Sequence, residues 1–193
     1  MDELNPTAAA LLGFLDAGEL SGYELAKSAT EIIGDFWHVT RSQVYRELAS
    51  LTEHGLIEPA GDGSGPRARR PYRITPAGRA AFGTWITRQP PLEQVRFPLL
   101  LTMSFGRWVG PGRLLEFTAA HRAAHQGRLA RYRTLLADGG LDSYLRATVA
   151  FGVRYEQAVL AWMDSLPAVL ADAGPPGPGS AAPGFRHPAF MGR

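Results

Sequence analysis

Apolar positions in the first part of the chain recur at helical spacing, and the pattern switches to alternation only once. Leu11, Leu12, Phe14 and Leu15 give the opening segment one apolar face; Asn5 and Pro6 suit its cap and first helical position, and Gly18 stops it. Ser21 and Glu24 form a capping box for a second helix, which runs through Leu25, Ala26 and Ile32-Ile33 to Gly34. Asp35-Phe36-Trp37-His38-Val39 is a compact aromatic connection. Residues 40–55 then read as a third helix. Thr40 and Gln43 make a second capping box, Val44, Leu48 and Leu51 form a narrow inward stripe, and Gly55 ends it. Ser42, Gln43, Arg46, Ala49 and Ser50 fall on the outer side, a small polar face that fits against base edges. An ordinary amphipathic helix with a solvated face is the alternative for this segment alone.

After Gly55 the period changes. Leu56-Ile57-Glu58-Pro59 is short and extended, residues 61–66 are a Gly-rich tip, and Tyr72-Arg73-Ile74-Thr75 alternates like a strand. Two helices meeting across a turn, then a hairpin, are the order of a helix-turn-helix followed by a wing. Thr75-Pro76 opens a fourth helix through Arg79, Phe82, Trp85 and Ile86 to Gln89, and Pro90-Pro91 marks a boundary. The second half reads as helical throughout. Within residues 92–109, residues 97–105 are apolar nearly all round, so that helix is expected to be buried by its own chain or a partner. A long helix over residues 113–136 and another over residues 141–170 follow, separated by Asp138-Gly139-Gly140. The last carries a near-heptad stripe of Tyr144, Thr148, Phe151, Tyr155, Val159, Trp162 and Leu166. So much apolar helix face in so short a half predicts a homodimer formed through it.

Composition narrows the class. Among 193 residues there is no Cys, which removes disulfides, a thiolate nucleophile and Cys-ligated zinc, and fits a cytoplasmic protein. The N-terminus lacks the basic region of a signal peptide, and no apolar run approaches the roughly 20 residues of a membrane span. Net charge is only +2, but it is unevenly placed: residues 63–89 hold six arginines (Arg67, Arg69, Arg70, Arg73, Arg79, Arg88) and no acid. A local basic patch on a nearly neutral chain points to double-stranded DNA, with the wing-tip arginines at phosphate or in the minor groove. For the hairpin alone, a solvated loop remains the alternative.

Taken in order, these motifs resemble the PadR-like transcriptional regulators, in the longer subgroup with a helical C-terminal domain. The resemblance rests on Leu12-Gly13-Phe14-Leu15, Ser21-Gly22-Tyr23-Glu24-Leu25, Phe36-Trp37, Ser42-Gln43-Val44-Tyr45 and Glu53-His54-Gly55-Leu56-Ile57. Arg70-Pro71-Tyr72-Arg73-Ile74-Thr75 with Gly78-Arg79 continues it, and Leu99-Leu100-Leu101, Phe105-Gly106, Gly152, Tyr155-Glu156 and Trp162 extend it into the second half. It implies a winged helix, a dimer held by C-terminal helices, and repression relieved by a small ligand, often aromatic or lipophilic. Arg46 is a departure, because many members carry Pro after the Tyr.

The expectation is therefore a mainly α protein. Residues 1–89 are a winged helix-turn-helix DNA-binding domain with a small β-hairpin wing, 92–171 a helical dimerisation domain with room for an effector, and 174–193 a disordered tail. The candidate DNA-binding residues are Arg41, Ser42, Gln43, Tyr45, Arg46, Arg67, Arg69 and Arg70. Candidate effector contacts are Trp37, Phe105, Trp108, His121, His125, Tyr155 and Trp162, for which core packing is the plainer explanation. His121 and His125 stand four apart within the stripe of Leu114, Phe117, Leu129, Tyr132 and Leu136, a spacing that metal pairs use, but no third ligand accompanies them. No phosphate loop and no nucleophile elbow appears, so neither catalysis nor a cofactor or metal is expected. The rival readings are an effector-binding or protein-interaction module without DNA binding and, less well supported, an enzyme on a helical scaffold.

Overall fold

The computed structural model describes residues 4–30, 37, 39–61, 70–175 and 177, and the chain divides into two compact units, Met1–Glu93 and Gln94–Arg193. In order, the first unit holds α1 (Pro6–Asp16), β1 (Leu20–Ser21), α2 (Gly22–Ser28), α3 (Arg41–Glu53), β2 (Ile57–Pro59), β3 (Pro71–Ile74) and α4 (Pro76–Ile86). The second holds α5 (Pro98–Ser104), a 3-10 turn (Gly106–Trp108), α6 (Pro111–Ala137) and α7 (Ser143–Val169).

Each helix of the first unit starts where a side chain satisfies its open N–H groups. Asn5 accepts from Ala8 N at 2.9 Å, and Thr75 accepts from Gly78 N at 3.0 Å. Both expected capping boxes are complete, Ser21 with Glu24 and Thr40 with Gln43. Leu11, Leu12 and Leu15 of α1, Leu25 of α2, and Val44, Leu48 and Leu51 of α3 close one core with Ile57 and Ile74 from the strands. Each fully buried aliphatic side chain contributes about 1.5–3 kcal/mol, so this core, not helix propensity, holds three short helices together.

The sheet has three antiparallel strands in the order β1-β3-β2. Pairing of Leu20 with Tyr72 and of Ile57 with Ile74 sets its register. The hairpin β2–β3 was expected; β1 is an addition, a two-residue strand that pairs with β3 and packs Leu20 against the core. Gly55 follows α3 at φ 67°, a left-handed conformation that glycine adopts without strain. The Thr75 hydroxyl donates to Gly55 O at 2.8 Å, which ties the end of α3 to the start of α4. The α2 helix is described only to Ser28, so the expected continuation through Ile32-Ile33 to Gly34, and Phe36 after it, lies outside the described residues.

In the second unit α6 and α7 pack antiparallel. Arg122 meets Asp164 at 2.7 Å, His125 meets Glu156, and Tyr132 lies against Gly152, so positions advance along one helix as they recede along the other. Asp142 caps α7 by accepting from Tyr144 N and Leu145 N, and Gly139 turns the connection at φ 71°. Two expectations are corrected here, the start of the unit's first helix and the stripe on α7. The helix expected over residues 92–109 begins only at Pro98, because Phe97 is extended and a proline suits the first helical turn. Its apolar surface is covered on one side alone: Leu99 is buried, whereas Leu100, Leu101, Phe105 and Trp108 are exposed. The stripe on α7 splits. Val159 and Leu166 are buried with Gly152, Glu156 and Met163, while Tyr144, Phe151 and Tyr155 face outward.

Candidate nucleic-acid interface

The outer face of α3 is presented by its buried one. Val44, Leu48 and Leu51 are almost fully enclosed and fix the helix about its axis, so Arg41, Ser42, Tyr45, Arg46 and Ala49 are exposed together on the other side. Gln43 is half-buried. Its Oε1 accepts from Thr40 N at 2.8 Å and from the Thr40 hydroxyl at 2.9 Å, so the cap engages the acceptor and any base contact falls to the amide NH2. The Tyr45 ring leans on α2 across Gly22, where an added Cβ would stand only 2.8 Å from the ring. Arg46 is largely exposed; its Nε lies 3.8 Å from Glu47, too far for a hydrogen bond. Glu47 instead accepts from Asn5 Nδ2 at 2.9 Å, so the residue that caps α1 also braces α3.

Arg70 is exposed at the base of the hairpin, next to β3. Arg67 and Arg69 lie outside the described residues. Arg73 pairs across the strands with Glu58 at 2.8 Å, and Arg79 pairs with Asp16 at 2.8 Å, so two arginines of the basic stretch are already partnered within the fold. A pocket of about 230 Å³ opens between α2 and α3, lined by Tyr23, Ala26, Lys27, Thr30 and Arg41. Tyr23 and Lys27 escape a reading by periodicity because both sit on the exposed side of a short helix. Their four-residue spacing and the uniqueness of Lys27 in the chain are the available signals.

The candidate effector residues are divided between the two units. Trp37, in the first unit, is half-exposed and donates to the Thr7 hydroxyl at 3.3 Å. In the second unit His125 and Trp162 both approach the Phe97 ring, at 6.1 and 6.0 Å between centroids. Phe105 and Trp108 are exposed, and Tyr155 stacks on Phe151 at 6.3 Å. His121 and His125 do not share a buried face, because four residues rotate the helix by about 40° and α7 covers one side only. His121 is exposed and His125 is buried. His125 Nδ1 lies 2.5 Å from Glu156 Oε2, and Arg128 Nε donates to Glu156 Oε1 at 2.6 Å. Arg128 Nη2 also lies 2.8 Å from the same Nδ1, so the three side chains meet in one cluster. Among the described residues no group of three His, Asp or Glu is arranged for a metal, and no helix is long and apolar enough to cross a membrane.

A helix pair with a polar second helix, followed by a hairpin on a three-stranded sheet, is the winged helix-turn-helix fold. More narrowly, residues 11–84 match the model of the transcriptional regulator PadR-like family. Residues 95–171 match the model described as virulence activator alpha C-term. The negative transcriptional regulator PadR of Bacillus subtilis is 35% identical over 98 residues, an alignment covering 50% of this chain and 54% of that protein, so it spans about half the relative's length. A probable transcriptional regulator of Mycobacterium tuberculosis is 27% identical over 173 residues, 79% of this chain and 90% of its own. The Bacillus subtilis PadR solved in complex with operator DNA superposes with a TM-score of 0.73 at 23% identity, covering 87% of this chain and 99% of that one. The same protein solved with p-coumaric acid gives 0.66 at 23% identity, covering 86% and 98%.

Proposed function

We propose that this protein is a homodimeric repressor that binds a pseudo-palindromic operator and is released by a small aromatic or lipophilic ligand. The observation that carries the reading is the α3 face: Arg41, Ser42, Tyr45 and Arg46 exposed together on a helix whose opposite side is locked in the core. Ser42, Arg46 and the Gln43 amide are the groups for base edges; Arg41, Tyr45 and the wing arginines Arg67, Arg69 and Arg70 are for phosphate or the minor groove. The helical unit of one subunit supplies the dimer contact, and the aromatic residues of that unit supply the ligand contacts. Support for repression and for an aromatic ligand comes from the Bacillus subtilis relative, a negative regulator solved both with operator DNA and with p-coumaric acid. The protein has no catalytic role in this reading and needs no cofactor.

The test is binding of the purified chain to DNA from upstream of its own gene, beside random DNA of equal length, at two salt concentrations. Preferential binding that weakens steeply with salt is expected. Equal and weak binding to both would remove the operator and favour an effector-binding or protein-interaction module.

A further inference from the structure

We propose that the cap of α3 sets a base preference: it locks Gln43 as a hydrogen-bond donor, so that in the major groove Gln43 selects a keto base, guanine ahead of thymine, and rejects adenine and cytosine. This rests on the DNA-binding reading and deepens it by naming the base chemistry that one side chain recognises. Glutamine ordinarily suits adenine, because its NH2 donates to N7 while its oxygen accepts from the N6 amino group. Here the oxygen is engaged. Gln43 Oε1 accepts from Thr40 N at 2.8 Å and from the Thr40 hydroxyl at 2.9 Å, and Gln43 N donates back to that hydroxyl at 3.2 Å. A backbone N–H can only donate, so the atom facing Thr40 N must be the oxygen, and Nε2 lies on the other side of the planar amide. Two donors occupy both lone pairs of Oε1.

Among the described residues the side chain of Gln43 bonds only to Thr40. Glu47, four residues on and the next acceptor along that side of α3, accepts instead from Asn5 Nδ2 at 2.9 Å. Gln43 stands in the first turn of α3, half-buried, beside the exposed Ser42 and one turn before the exposed Arg46. In helix-turn-helix docking the N-terminal residues of the recognition helix are the ones that meet base edges. An NH2 group finds two acceptors on guanine, O6 and N7, and one on thymine, O4. Against adenine or cytosine it faces an amino group, donor to donor. Turning Oε1 to an adenine would strip the cap of its acceptor, so that contact starts about fivefold behind.

The experiment selects tight binders from randomised duplex DNA with the full chain, as parent, Gln43→Ala and Gln43→Glu, and sequences them. Gln43→Ala locates the position without adding charge, by evening out the four base pairs there. The parent is expected to rank G·C first at that position in each half-site and T·A second, about 3- to 10-fold ahead of the remaining pairs. Glutamate keeps an acceptor for Thr40 N, as Glu24 does for Ser21 N, so Gln43→Glu is expected to melt with the parent. Its second oxygen accepts where the parent donates, and the same position is expected to reverse from G·C to C·G, since glutamate accepts from cytosine N4. An A·T pair ranked first there by the parent, in either orientation, would show the bidentate adenine contact and overturn the lock. An enriched parent motif that neither variant changes would also overturn it, while leaving the DNA-binding reading standing. A parent protein that enriches no sequence would overturn both.

Discussion

Glu156 shows how one residue can fix the geometry of a helix pair. Its carboxylate is only 1% exposed and bonded to His125 and Arg128, both from α6. A buried charge is tolerated only with such partners, so sliding α7 by one turn along α6 would strand it. Glu156→Ala leaves Arg128 and His125 facing a void and is expected to cost about 3–5 kcal/mol, read as a lower urea midpoint at unchanged m-value. The exposed pair of Arg73 with Glu58 has a similar distance but a different weight. Solvent screens it, and Glu58→Ala is expected to cost no more than about 1 kcal/mol in the same assay. Arg46 is expected to act in DNA binding rather than in stability, since its side chain is largely exposed and its Nε stands 3.8 Å from Glu47. Arg46→Ala is expected to lower operator affinity by about 1–3 kcal/mol and relax the preference for one base pair, if it grips a guanine edge. Competition between operator variants would show this; a uniform loss across all of them would make Arg46 a phosphate contact.

At the level of elements, local chemistry was readable and distant pairing was not. The capping boxes at Ser21 and Thr40 and the turn at Gly55 involve residues within four positions of one another, so their spacing announces them. Thr40→Ala removes the acceptor for Gln43 N and releases the Gln43 amide, at a cost of about 1 kcal/mol, which for a domain of this size lowers the melting temperature by about 4–8 °C. Strand β1 left no such mark, because two residues have no periodicity and Leu20 becomes a strand only against Tyr72, far along the chain. The α7 stripe was legible in its second half and displaced in its first. Phe151 and Tyr155 look like core residues, yet Gly152 and Glu156 face α6, an apolar pattern masked by a glycine and a charge. Gly152 is needed there because an added Cβ would stand 2.7 Å from the Tyr132 ring. Gly152→Ala is therefore expected to force the ring or the helix aside at about 1–3 kcal/mol, measured by denaturant unfolding. The exposed face of α3 was legible for the same reason as its cap, since burial of Val44, Leu48 and Leu51 dictates what lies opposite. The pocket between α2 and α3 was not, because it depends on how two helices approach.

For the molecule as a whole, the apolar surface left over by folding is what argues for a second copy. On α7 Tyr144, Leu145, Phe151 and Tyr155 are exposed, and on α5 with its following turn Leu100, Leu101, Phe105 and Trp108 are exposed. Soluble monomers seldom leave so many large apolar groups in water, and helix faces of this kind are covered in obligate homodimers. A dimer also changes what DNA binding can achieve. Two linked recognition helices engage half-sites about one turn apart, and the second contact becomes intramolecular, which multiplies affinity without any new contact. Phe151→Asp places a charge within the apolar run on α7 while leaving the buried set Gly152, Glu156, Val159 and Met163 untouched. It is expected to sediment as a monomer, melt near the parent temperature at high protein concentration, and lose operator affinity far more than affinity for random DNA. A parent protein that sediments as a monomer at micromolar concentration would break the chain of reasoning at its first link. A dimeric Phe151→Asp variant would move the contact to the α5 surface, where Leu101→Asp makes the same measurement.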